Sequence, residues 1–180
     1  FIDIDYSLPK PKLDAYFNYL YDEYGFDEFF RSDMRLVAFG RKGESETFKT
    51  FALNMCKELN VSLRQMDRIF AYSRLSLMQF STNTYLLPDV YFMLCFWRVM
   101  DFPFYSQISN KELSVTELLV KLEEKLPVSF FQNDESVPYY SRNIVFVVAC
   151  LLYCYDMTGF TERPVKSTLR CVKNEKTEKV

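Results

Sequence analysis

Apolar residues recur along this chain at three- and four-residue intervals, the spacing that gathers side chains on one face of an α-helix. Leu13, Phe17, Leu20 and Tyr24 set the first such face, with Pro11 suited to an opening turn and Gly25 placed to end it. Residues 26–44 are less regular, and Phe29-Phe30 to Phe39 reads as a short or broken helix entering a Gly40-Arg41-Lys42-Gly43 loop. Ser45 stands where a cap belongs, ahead of a face made by Phe48, Phe51, Ala52, Met55, Cys56 and Leu59. Ser62-Leu63-Arg64-Gln65 is a capping box and predicts a helix to about Phe80. Ser81–Thr84 interrupts the pattern, Pro88 opens a helix reaching about Met100, and Pro103 ends it. A second box, Ser114-Val115-Thr116-Glu117, starts a helix through Leu118, Leu119, Leu122 and Leu126 that Pro127 closes. After a loop over 128–137, residues from about Pro138 to Met157 are apolar nearly all round and predict a central helix.

The start of the chain has a different pattern. Phe1-Ile2-Asp3-Ile4-Asp5 is strand-like, and Leu8-Pro9-Lys10-Pro11 is a stiff connector because proline restricts itself and the residue before it. The expected fold is therefore all-α: an irregular multi-helix bundle of about six to eight helices with a short extended N-terminal segment. Residues 1–11 are the end of a strand and its connector, 12–160 the helical domain, and 161–180 a flexible basic tail, ordered only by a partner. The abrupt apolar start, without Met or a leader, is expected to be a cut in a longer protein.

Composition narrows the functions open to such a bundle. With 49% hydrophobic residues the chain has the material for a real core, and 18% aromatic content suggests thick helix contacts or a buried interface. The net charge of -2 gives no strong nucleic-acid signal. The tail over 162–180 nevertheless holds six Lys/Arg against three Glu. Neither Ile144–Tyr155 nor the charge-interrupted Tyr85–Tyr105 stretch predicts a transmembrane segment, which takes roughly 20 apolar residues. Five scattered cysteines fit reduced thiols in a cytoplasmic protein better than a disulfide framework.

Catalytic chemistry is sparse. There is no histidine, which removes the commonest general base and zinc ligand. The five cysteines offer no closely spaced metal-binding pair, and Cys150 and Cys154, four apart, read as packing. Four glycines form no phosphate-cradling loop, and Gly40-Arg41-Lys42-Gly43 reads as a solvated basic turn. Asp27/Glu28 and Glu123/Glu124 read as helix-start or surface acids, while Asp3 and Asp5, two apart on a strand, share a side. The chain alone thus has no complete active site, no catalytic residue and no metal site. The sharpest positive feature is Arg64 in the first turn of its helix with Arg68 four residues on, sharing its face, while Arg74 lies on another. Guanidinium groups stay charged and fork onto phosphate oxygens. The plainer alternative pairs Arg64 with Asp67 and leaves Arg68 on the surface.

Three stretches resemble, in order, the region that follows the nucleotide-binding core in KAP-type P-loop NTPases. Phe1-Ile2-Asp3-Ile4-Asp5-Tyr6-Ser7-Leu8-Pro9-Lys10-Pro11 resembles the family's last core strand and its Leu-Pro-x-Pro link into a helical lid. Leu13 to Gly25 resembles the next, aromatic-rich helix. Ser62-Leu63-Arg64-Gln65-Met66-Asp67-Arg68 resembles the Ser-Leu-Arg-x-x-x-Arg start of a lid helix. The likeness covers residues 1 to about 80, making 12–80 lid-like and 81–160 a helical extension, and the Walker motifs and central sheet would precede Phe1. It implies a C-terminal lid and effector-coupling domain of an ATPase, with Arg64 sensing nucleotide and Arg68 supporting it. ATP and Mg are then expected in the parent protein and no cofactor in this chain alone. The expected partner is the P-loop core of the same polypeptide, with protein partners or a homo-oligomer beyond it. The competing expectations are a stand-alone helical protein-interaction module unrelated to nucleotides, and DNA binding through the Arg64–Arg74 helix and basic tail, which the acidic body opposes.

Overall fold

A computed structural model describes residues 12–39, 43–81, 84, 86–127 and 130. Every regular element among them is an α-helix. In chain order these are α1 (Leu13–Glu23), α2 (Phe26–Phe30), α3 (Asp33–Phe39), α4 (Glu44–Glu58), α5 (Leu63–Leu77), α6 (Pro88–Met100), α7 (Phe102–Ser109) and α8 (Val115–Lys125). The expected opening strand, most of the Gly40–Gly43 turn, the helix over 138–157 and the basic tail lie outside the described residues.

Local chemistry explains where these helices start and stop. Gly25 ends α1 with a left-handed φ of 61° and also serves as the cap of α2; a Cβ there would meet the Glu28 carboxyl carbon at 3.0 Å. At the end of α4, Asn60 takes the left-handed conformation, φ 50°, while the Val61 N–H reaches the Cys56 carbonyl at 2.9 Å and Asn60 N–H that of Lys57 at 3.1 Å. This is a Schellman turn, and the buried Val61 supplies its apolar contact. Both expected capping boxes form, at Ser62/Gln65 and Ser114/Glu117.

Other expectations need correction. Ser45 is not a cap: α4 begins one residue earlier, and Ser45 is buried in its first turn with its hydroxyl donating to Asp27 Oδ1 at 2.6 Å. Pro103 does not simply end a helix. The chain breaks at Asp101, whose carboxylate caps Phe104 N–H at 3.1 Å, and Pro103 then sits in the first turn of α7, where its missing N–H costs nothing. The α5 helix stops at Leu77, short of Phe80.

One apolar core runs from Phe17 to Leu126. Phe48 of α4 lies near its middle, with ring centroids of Phe26, Phe30 and Phe92 at 4.9, 5.1 and 5.3 Å. Mixed stacked and edge-on packing of this kind adds to the roughly 1.5–3 kcal/mol that burying each Phe contributes. The α6 helix is buried on most sides and packs against α4, α5 and α7. A buried polar link crosses the same core: Arg35 of α3 forks onto Glu44 of α4 through Nε–Oε2 at 2.9 Å and Nη2–Oε1 at 3.0 Å. Its Nη1 donates to the Thr84 carbonyl at 2.8 Å, so α3, α4 and the segment before α6 are pinned together.

Candidate functional site

The α5 helix carries both predicted site residues, and its frame is rigidly defined. The Ser62 N–H donates to Gln65 Oε1 at 2.9 Å, while Gln65 N–H donates back to Ser62 Oγ at 3.3 Å. Met66, Ile69, Phe70, Ser73 and Leu77 face the core. Two flank contacts tie the helix to earlier elements: the Tyr24 hydroxyl donates to Asp67 at 3.0 Å, and Arg74 pairs with Glu28 at 3.0 Å. Burial, then the bond to Asp67 and its charge, push the Tyr24 pKa up to about 12.

Arg64 and Arg68 stand exposed, one turn apart on the outer face. Neither forms a hydrogen bond or ion pair with a described residue. The alternative of an Arg64–Asp67 pair is therefore not what forms. Asp67 lies on the flank turned toward α1, where Tyr24 takes it. Arg64 also sits at the positive end of the helix dipole with no acidic residue in that turn, an arrangement worth about 0.3–1 kcal/mol against the isolated helix. An anion held by Arg64 and the first-turn N–H groups would reverse that sign.

A third arginine was legible in the sequence only as a charge interrupting an apolar stretch. Arg98 of α6 lays its guanidinium 4.1 Å from the Phe102 ring centroid, 5.3 Å from Tyr105 and 5.9 Å from Tyr72 of α5. Their shared surroundings appear only when α5, α6 and α7 are packed.

The remaining polar groups explain themselves structurally. Asp27 accepts from Tyr21 and Ser45, both at 2.6 Å, and pairs with Arg31 at 3.2 Å, joining α1, α2 and α4. Burial would raise its pKa, but the Ser45 and Tyr21 bonds and the Arg31 charge together hold it below the usual value. Ser76 of α5 bonds to both Tyr91 and Cys95 of α6. Cys56 and Cys95 are free and buried, and burial pushes both thiols up, Cys56 to about 12, which disfavours the thiolate. Among the described residues no cluster of acids and cysteines could hold a metal, and no helix is long and apolar enough to cross a membrane.

The chain matches no family model, no curated protein sequence and no solved structure.

Proposed function

We propose that this chain is the helical lid and effector-coupling domain of a KAP-type P-loop ATPase, with Arg64 as the residue that senses nucleotide. One observation carries the reading: two exposed guanidinium groups lie one turn apart at the start of a firmly anchored helix, without any described acid to neutralise them. A terminal phosphate is the ligand such a pair fits best, because it accepts several charge-assisted bonds and gains from the helix N-terminus. Arg64 would sit against the developing charge of phosphoryl transfer and Arg68 would support it.

The fit to ATP and its metal is uneven. The arginines suit phosphate oxygens, whereas no described acid cluster suits magnesium, so the metal would be held by the P-loop core. Such a division makes this chain a sensor that contributes to turnover without catalysing it alone. The free, buried thiols fit the reducing cytoplasm in which such an ATPase would work.

The test is ATP turnover in the complete protein carrying the P-loop core. Arg64→Ala should lower it by about 10²-fold, the scale of a lost charge-stabilising donor, while Arg64→Lys should recover part of the rate. Unchanged turnover in Arg64→Ala would remove the sensing role.

A further inference from the structure

We infer that the surface where α5 meets the α6–α7 corner is a docking site for an acidic, apolar segment of another protein, with Arg98 as its anchor. The inference does not rest on the nucleotide reading, since its anchor is Arg98 and not Arg64. Tyr72, Leu75 and Met78 follow one another at three-residue intervals and form a ridge on α5. Leu75 and Met78 are 63% and 68% exposed, and across from Tyr72 lies Phe102, 51% exposed. Single exposed apolar residues are ordinary, but Tyr72, at one end of this ridge, and Phe102 both pack on one guanidinium, that of Arg98.

Arg98 decides the chemistry of the occupant. It is half-buried against Phe102, Tyr105 and Tyr72, which fixes its plane and limits the rotamer entropy lost on binding. Among the described residues nothing accepts a hydrogen bond from it and no acid pairs with it. Its nearest sequence acid, Asp101, is taken by Lys125 at 2.5 Å. Several other cations of the described chain do have carboxylate partners, among them Arg31, Arg35, Lys57 and Arg74. Arg68, one turn before Tyr72 on α5, adds a further charge without a described carboxylate partner near the ridge. A stacked arginine within exposed aromatic and aliphatic area has the composition of an interface hot spot, and its open fork matches a carboxylate. Charge complementarity thus selects an Asp- or Glu-bearing segment, and the ridge requires an apolar side chain beside that acid.

The experiment is a random-peptide phage selection on the full 180-residue chain, followed by fluorescence anisotropy with the selected peptides made synthetically. Peptides carrying Asp or Glu next to Leu, Phe or Tyr are expected. Arg98→Ala should weaken them about 10-fold or more, Arg98→Lys should weaken them because an ammonium lacks the planar fork, and Leu75→Asp should do so by repelling the acid. Arg64→Ala should leave their affinity unchanged. Circular dichroism verifies that each variant is folded, and the exposed Leu75 makes its substitution the safer of the tests. A selection without an acidic-apolar consensus, or equal peptide affinity in folded Arg98→Ala, overturns the inference. So does Arg98-dependent displacement of the peptides by ATP or a short single-stranded oligonucleotide, which would assign the surface to phosphates.

Discussion

Replacing Glu44 by Gln tests how the interior tolerates charge. Arg35 and Glu44 are 1% and 4% exposed, and their forked pair is the one fully enclosed ion pair among the described residues. Glutamine keeps an acceptor for one arginine N–H, so the substitution removes one charge-assisted hydrogen bond, about 1.5–3 kcal/mol, together with the neutralising charge. The guanidinium keeps the Thr84 carbonyl and the Phe29 face, 4.5 Å from its carbon, but loses its enclosed counter-charge. Breaking a buried pair in this way costs about 3–5 kcal/mol, a large share of the roughly 5–15 kcal/mol that holds a domain together. The double variant Arg35→Leu/Glu44→Leu should lose less than the two single leucine variants summed, because it strands no charge; its chief penalty is the Thr84 carbonyl, about 1–3 kcal/mol. Urea unfolding followed by the fluorescence of the chain's single Trp, the buried Trp97, and by circular dichroism measures all of these. Salt supplies a second criterion. The Glu44→Gln deficit should persist in 1 M NaCl, unlike any effect of the exposed Arg31–Glu46 pair. A deficit below about 1 kcal/mol, or additive single and double variants, would refute the picture of an enclosed pair.

Three further outcomes are expected. Asp27→Asn should destabilise by about 0.5–1 kcal/mol at pH 7, since asparagine retains an acceptor and the site is partly exposed. Because the folded Asp27 pKa is depressed, its contribution is fully present above the unfolded value and disappears as pH falls through the folded one. The gap between Asp27→Asn and the parent should therefore close below about pH 4, which acid-range urea melts will show. Lys111 holds a left-handed φ of 55° in the Schellman turn after α7, where Glu112 N–H reaches Gln107 at 2.9 Å, so Lys111→Gly should stabilise by up to about 1 kcal/mol. A thermal melt that moves downward would contradict that. Gly25→Ala should lower stability by about 1–2 kcal/mol, through the left-handed backbone and the displaced Glu28 carboxyl, and a neutral unfolding midpoint would count against it.

The all-α fold was legible because its signals are local. Gln65 reaches only three residues back to Ser62, and Gly25 ends α1 whatever surrounds it. Most of the differences have a physical origin in distant partners. Ser45 has the chemistry of a cap, but Asp27 and Tyr21, 18 and 24 residues away, draw its hydroxyl inward. Pro103 is a local ambiguity: proline stops a helix but is equally at home in a first turn, and Asp101 makes that turn by capping Phe104. Spacing alone puts Arg64 and Arg68 on one face of the helix, and both are exposed. The fate of Asp67 was not readable, because Tyr24 lies 43 residues away. Arg98 escaped for the same reason, since Tyr72 reaches it from another helix.

The two sides of α5 obey different rules, and the difference bears on function. On its inner side and flanks each choice agrees with the fold: apolar residues are buried, Asp67 finds a hydroxyl and Arg74 finds a carboxylate. On its outer side the choices disagree with the fold as it stands alone. A cation occupies the positive end of the helix dipole, a second follows it unpaired, and Leu75 and Met78 face water. Sequences that fold well keep local and global preferences consistent, and departures concentrate where selection acts on something other than stability. Helix stability would be served by acids at 64 and polar residues at 75 and 78. The arrangement observed is instead one that the two proposed ligands would repair, a phosphate at Arg64 and an acidic-apolar segment along the Tyr72–Met78 ridge.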